Sequence, residues 1–190
     1  MGTLNAIYIR STDAAAARAI RMNYSSAVTE PGTRFFAVEL PADSFRCPEA
    51  ELQQLSKRLQ TDVIWLSFQS VADAFQYYHW QSGKRVRALA YGCFVRDGEW
   101  EQAEGQPQEW EAAVLFNRDR VHLEHYTPAE QKQLKRIFRE QILKVGSPYP
   151  SLDARETARG VAEYYRFPGW ELSDEDDDQY DDEDDNWDDE

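Results

Sequence analysis

The chain has 190 residues, 42% hydrophobic and 13% aromatic, which is enough for one domain with its own core. Its net charge of −14 is local: fourteen acids and no base follow Trp170, leaving 21 acids against 21 Lys and Arg in residues 1–170. A neutral body lacks the basic footprint of a general DNA or RNA binder, so nucleic acid is a disfavoured partner.

Taken in chain order, LNAIYIR (Leu4–Arg10) reads as a short strand, and Ser11 and Thr12 stand where they can cap an Ala-rich helix starting near Asp13. TEPGTR breaks the chain, and RFFAVEL (Arg34–Leu40) reads as a second strand. PEAELQQLSKRL has Pro48 at the first helical position and Leu52, Leu55 and Leu59 at helical spacing. From Val63 to about Gln102 the pattern is strongly β, with Ser82-Gly83 and Asp97-Gly98 as two-residue hairpin turns, which predicts an antiparallel meander. EGQPQEWE reads as a loop, and AVLFN with VHLEHY as further strand. Thr127 with Glu130 forms a capping box, Pro128 follows at the first helical position, and Leu134, Ile137, Phe138, Ile142 and Val145 make an apolar stripe. Asp153 and Glu156 open a last helix with Ala154, Ala158, Val161, Ala162 and Tyr165 on one face, stopped by Phe167-Pro168-Gly169-Trp170. The expected fold is α+β: a meander of about four to six strands packed against about four helices. Residues 1–170 form the single domain, and residues 171–190 a disordered acidic tail.

Cys47 and Cys93 lie far apart without CxxC spacing, which fits reduced thiols. The N-terminus has no uninterrupted apolar stretch of a signal peptide, and Ala6 occupies the Ser/Thr position of the myristoylation pattern that Gly2 would begin. No apolar run reaches the ~18 residues of a membrane span. The expected setting is cytoplasmic, without a membrane partner.

With Ser82-Gly83 as the turn, strict pairing sets Trp80 opposite Arg85 and Tyr78 opposite Arg87 on one face of the hairpin. That face is suited to stacking and cation–π contacts, unless a helix covers it; the other, with Phe75, Tyr77, His79, Val86, Ala88 and Ala90, is expected in the core. A register slip of one residue would exchange the two. His122 and His125 have a spacing found among metal ligands, with His79 or Glu111 as conceivable completing groups, but no Cys or third His lies close by, so no metal site is assigned. GxSxG, HExxH, GxGxxG and GxxxxGK[ST] are all missing; no catalytic residue and no cofactor is assigned. Ser11 and Thr12 also suit an anion at a helix N-terminus, with ordinary capping the simpler account. Lys132, Lys135, Arg136 and Arg139 form a basic stripe opposite the apolar face of their helix.

Tyr180 and Trp187 interrupt the acids of the tail, which a purely solubilising segment does not require. The tail lacks the central Gly and ligand order of a calcium loop. The leading expectation is therefore a non-catalytic interaction or regulatory protein that presents its acidic, aromatic-containing tail to a basic protein partner. One alternative is a small-molecule-binding or enzymatic domain with a pocket between meander and helices, lined by ADAFQYYHWQ and Trp110. Another is a single-stranded nucleic-acid binder acting through Tyr78, Trp80, Arg85 and Arg87 and inhibited by its own tail.

Overall fold

Apolar side chains on both sides of the central strands set the architecture. The structure, a computed structural model, describes residues 2–41, 46–94, 98–117 and 126–170. Strand β3 (Asp62–Gln69, DVIWLSFQ) is buried at seven consecutive positions, so it needs cover on both faces. Strand β1 (Thr3–Arg10) pairs with it on one side and β4 (Ala74–Gln81) on the other. With β2 (Phe35–Glu39), β5 (Lys84–Tyr91) and β6 (Trp100–Gly105) they form one six-stranded sheet in the order β2-β1-β3-β4-β5-β6, antiparallel throughout. The α+β expectation holds, with helices on both faces of the sheet.

One face packs under helices α1 (Ala14–Asn23) and α2 (Glu49–Leu59), whose Ile20, Leu52 and Leu55 meet Ile7, Ile9, Val63, Trp65, Tyr78 and Trp80. The opposite face carries Tyr8, Ile64, Leu66, Tyr77, Leu89 and Trp100 under α3 (Glu109–Val114), α4 (Pro128–Glu140) and α5 (Ala154–Tyr165). Phe167, just past α5, stacks on Tyr8 with ring centroids 3.7 Å apart and belongs to this core.

Several local expectations shift. Asp13 caps α1, its carboxylate accepting from Ala16 N at 2.8 Å, while Ser11 donates its hydroxyl to the Asp13 carbonyl. Pro48 precedes α2 as its N-cap. The EWEAAV stretch, expected as loop and strand, is α3: Gln108 and Glu111 stand three apart, and Glu111 reaches back to Gln108 N at 2.8 Å. Asp97 and the VHLEH stretch with His122 and His125 fall outside the described residues, as do Tyr180 and Trp187. The capping box of α4 forms as expected, but the helix stops at the left-handed Gln141; Ile142 and Val145 are exposed while Leu134, Ile137 and Phe138 are buried.

The decisive correction lies in the β4–β5 hairpin. Ser82 and Gly83 both have positive φ, as the tight turn requires, and Trp80 does oppose Arg85. The next pair is His79 with Arg87, so β5 carries one extra residue, Val86, as a bulge. Beyond it every β5 side chain changes face relative to strict pairing, and Tyr78 meets Ala88 instead of Arg87.

Candidate functional site

The bulge sends Arg87 to the α3 side of the sheet, where the guanidinium forms a two-pronged bond with Glu111: Nε to Oε1 at 2.8 Å and Nη2 to Oε2 at 2.5 Å. Both side chains are almost completely buried, 3% and 1% exposed, and Arg87 Nη1 also donates to the carbonyls of Glu104 and Gly105. Tyr78 and Trp80 lie beneath α2 and are buried, and Arg85 is held by Glu49 and Glu104. The four hairpin residues singled out in the sequence therefore do not share a free surface. Trp110 is likewise fully buried, tilted against Tyr77 with centroids 4.9 Å apart. Of the stretch expected to line a pocket between sheet and helices, Phe75, Tyr77, Tyr78 and Trp80 are buried in the core, as is Trp110.

An open cleft of about 550 Å³ lies at one end of the sheet, where β1 ends, β3 begins and β4 ends. Antiparallel pairing brings Arg10, Asp62 and His79 from three adjacent strands onto one face there. Arg10 Nη1 donates to Asp62 Oδ2 at 2.9 Å, and His79 Nε2 lies 3.0 Å from Asp62 Oδ1. The segment before β2 adds Gly32, Arg34 and Phe35, and the end of α5 adds Tyr164, Tyr165 and Arg166. Arg34 and Arg166 are exposed, and neither guanidinium has a hydrogen bond or ion pair with any described residue. The rim thus carries two uncommitted cations and Arg10, over a floor whose single carboxylate is already engaged.

A donor-only group decides how the floor is wired. The indole Nε1 of Trp110 lies 3.2 Å from Gln108 Oε1, which also receives the hydroxyls of Tyr77 at 2.6 Å and Tyr165 at 2.8 Å. An indole N–H cannot accept, so the Gln108 atom facing it is the oxygen. Its NH2 group then faces His79 Nδ1 at 2.8 Å, which must accept, and the ring proton sits on Nε2, donating to Asp62. Both nitrogens of His79 are occupied within the protein. At Asp62, burial favours the neutral acid, but the hydrogen bonds that His79 and Arg10 donate, with the charge of Arg10, together outweigh it and hold the carboxyl below its usual range. Burial also pushes the phenols of Tyr77 and Tyr165 above theirs. The wiring orients fixed dipoles and charges; it leaves His79 no free lone pair for a ligand proton.

Lys132, Lys135, Arg136 and Arg139 line a shallow exposed groove on α4, with Arg136 donating to Glu140 at 2.8 Å. His79 and Glu111 approach one another only through Gln108, and among the described residues no group of three or more His, Cys, Asp or Glu is arranged to hold a metal ion. Burial raises both thiols, that of Cys93 to about 12, with Glu49 beside Cys47 and Glu101 beside Cys93 acting in the same direction. Among the described residues no helix is long and apolar enough to cross a membrane. Comparison with family models, curated proteins and solved structures finds no match to this chain. The sequence reading missed Arg34 and Arg166 because each lies just outside a regular element, with no spacing relation to the other.

Proposed function

We propose that this protein is a non-catalytic binding module whose cleft accepts a small molecule bearing two anionic groups, of carboxylate or phosphate type. The observation that carries this reading is the pair of uncommitted guanidiniums, Arg34 and Arg166, at the rim of a single polar cleft. Guanidinium forks match such oxyanions in geometry, and the volume suits a metabolite-sized ligand. The rings of Tyr164 and Tyr165 supply apolar contact, and Arg10 is already aligned by Asp62. The engaged state of His79 supports binding over proton transfer. Inorganic pyrophosphate is a suitable probe, titrated calorimetrically at low salt into full-length protein. Arg34→Gln and Arg166→Gln should each weaken binding about tenfold or more, the scale of one lost charge-assisted hydrogen bond. Binding that survives the double substitution undiminished refutes the reading.

The rival reading gives the tail to a basic protein partner, with Tyr180 and Trp187 as anchors. Its support is the composition of the tail. It predicts that binding of such a partner follows Tyr180→Ala and Trp187→Ala and ignores Arg34 and Arg166.

A further inference from the structure

We propose that the acidic segment Glu171–Glu190 is an intramolecular occupant of the same cleft and competes there with the small anion, an inference that rests on the binding reading above. Three observations converge on it. The first is where the described chain ends. Trp170 lines a second groove together with Glu30, Gly32, Glu163 and Arg166, and this groove shares Gly32 and Arg166 with the cleft. The position of Trp170 is fixed: its ring packs against Phe68 with centroids 6.0 Å apart, and the Gly169 amide donates to Glu30 at 2.6 Å. The acidic segment therefore starts beside the groove that shares Gly32 and Arg166 with the cleft.

The second is charge. Arg10, Arg34 and Arg166 face the cleft against one carboxylate, Asp62, so its lining is net positive in a body that is neutral as a whole. The segment offers fourteen carboxylates and no competing base. In the adjoining groove Glu30 and Glu163 stand with Arg159 and Arg166, so the excess of positive charge lies on the cleft side, at Arg10 and Arg34. The third is length. A random-coil chain of twenty residues, the length of this segment, has a root-mean-square span of about 25 Å, which covers the roughly 20 Å that six strand residues put between Phe68, under Trp170, and Asp62 in the cleft.

A tethered occupant acts at an effective concentration in the millimolar range, so even a weak carboxylate–guanidinium contact competes measurably. The comparison uses the full-length chain and a full-length variant with its fourteen tail acids replaced by Asn and Gln. Pyrophosphate should bind the amide variant roughly fivefold more tightly at low salt, and the difference should close near 0.5 M salt, where screening acts within about 4 Å. A labelled peptide of residues 171–190 should bind the amide variant in trans, be displaced by pyrophosphate, and lose binding on Arg34→Gln with Arg166→Gln. Equal pyrophosphate affinity in the two full-length forms overturns the inference and leaves the cleft reading standing. So does peptide binding that ignores the cleft arginines and is abolished by Lys132→Gln with Lys135→Gln on α4. Pyrophosphate binding by neither form removes the cleft reading and this inference with it.

Discussion

Replacing Glu111 with Ala tests whether the Arg87–Glu111 pair holds the sheet to α3. The carboxylate receives both prongs of a guanidinium that is 3% exposed, and it caps α3 by accepting from Gln108 N. Without it, a buried charge keeps only the carbonyls of Glu104 and Gly105. Breaking one side of a buried pair costs about 3–5 kcal/mol, and the lost cap adds about 1 kcal/mol. For a domain of this size each kcal/mol lowers Tm by roughly 2–4 °C, so Glu111→Ala should melt about 10–20 °C below the parent. Urea denaturation followed by tryptophan fluorescence and circular dichroism gives the free energy directly. Arg87→Met combined with Glu111→Leu removes both charges and fills the site with apolar groups, and should fall within about 2 kcal/mol of the parent. A single variant costing less than about 1 kcal/mol, or a double variant as costly as the two singles added, refutes the argument.

Gly105→Ala should lower stability by at least about 2 kcal/mol, because φ is +87° and a Cβ would meet the Val86 carbonyl oxygen at 2.1 Å. Gly146→Ala, at φ +75° in open space, should cost only about 1 kcal/mol by the same denaturation measurement; equal losses would contradict the close-approach account. Phe167→Ala, which removes the ring stacked on Tyr8 and Tyr165, should cost about 3–5 kcal/mol, and a loss below about 1 kcal/mol would take Phe167 out of the core. The lowered Asp62 carboxyl contributes stability that is present above the ordinary carboxylate range and lost as pH falls through its folded value. Asp62→Asn should therefore reduce stability at neutral pH and flatten the acid limb of a denaturation series; an unchanged acid limb would contradict the Arg10–Asp62–His79 arrangement.

What was legible in the sequence follows the range of the forces involved. Periodicity and turn chemistry are local, so the strands from Asp62 to Tyr91, the α4 capping box and the α5 face could be read directly. The helix α3 was hidden because its cap is a Gln, outside the Ser/Thr/Asp/Asn signal, although the Gln108–Glu111 spacing was present. Helices on both faces were foreshadowed by VIWL, where consecutive apolar residues must point to opposite sides. The end of α4 at Gln141 interrupts an apolar spacing that continued to Val145, so periodicity overran the element.

The candidate site was the least legible part, and the hairpin explains why. Whether Arg87 meets a partner on the surface or Glu111 in the core depends on one extra residue, Val86, between the Trp80–Arg85 and His79–Arg87 pairs. Alternation alone assigns Arg87 to the face of Tyr78, and only tertiary demand selects the bulge: it gives Glu111 a counter-ion and puts Leu89 and Tyr91 into the α5-side core. The most conspicuous arginine–aromatic pattern in the sequence was therefore consumed by folding. The arginines left uncommitted, Arg34 and Arg166, stand at a strand entry and a helix exit that are 132 positions apart in the chain. They meet at the cleft because α5 lies across β3 and β4 with its C-terminal end above Arg10 and Asp62. A candidate cleft of this kind is specified by how a helix docks, and its chemistry becomes visible only when the residues that folding has neutralised are separated from those it has not.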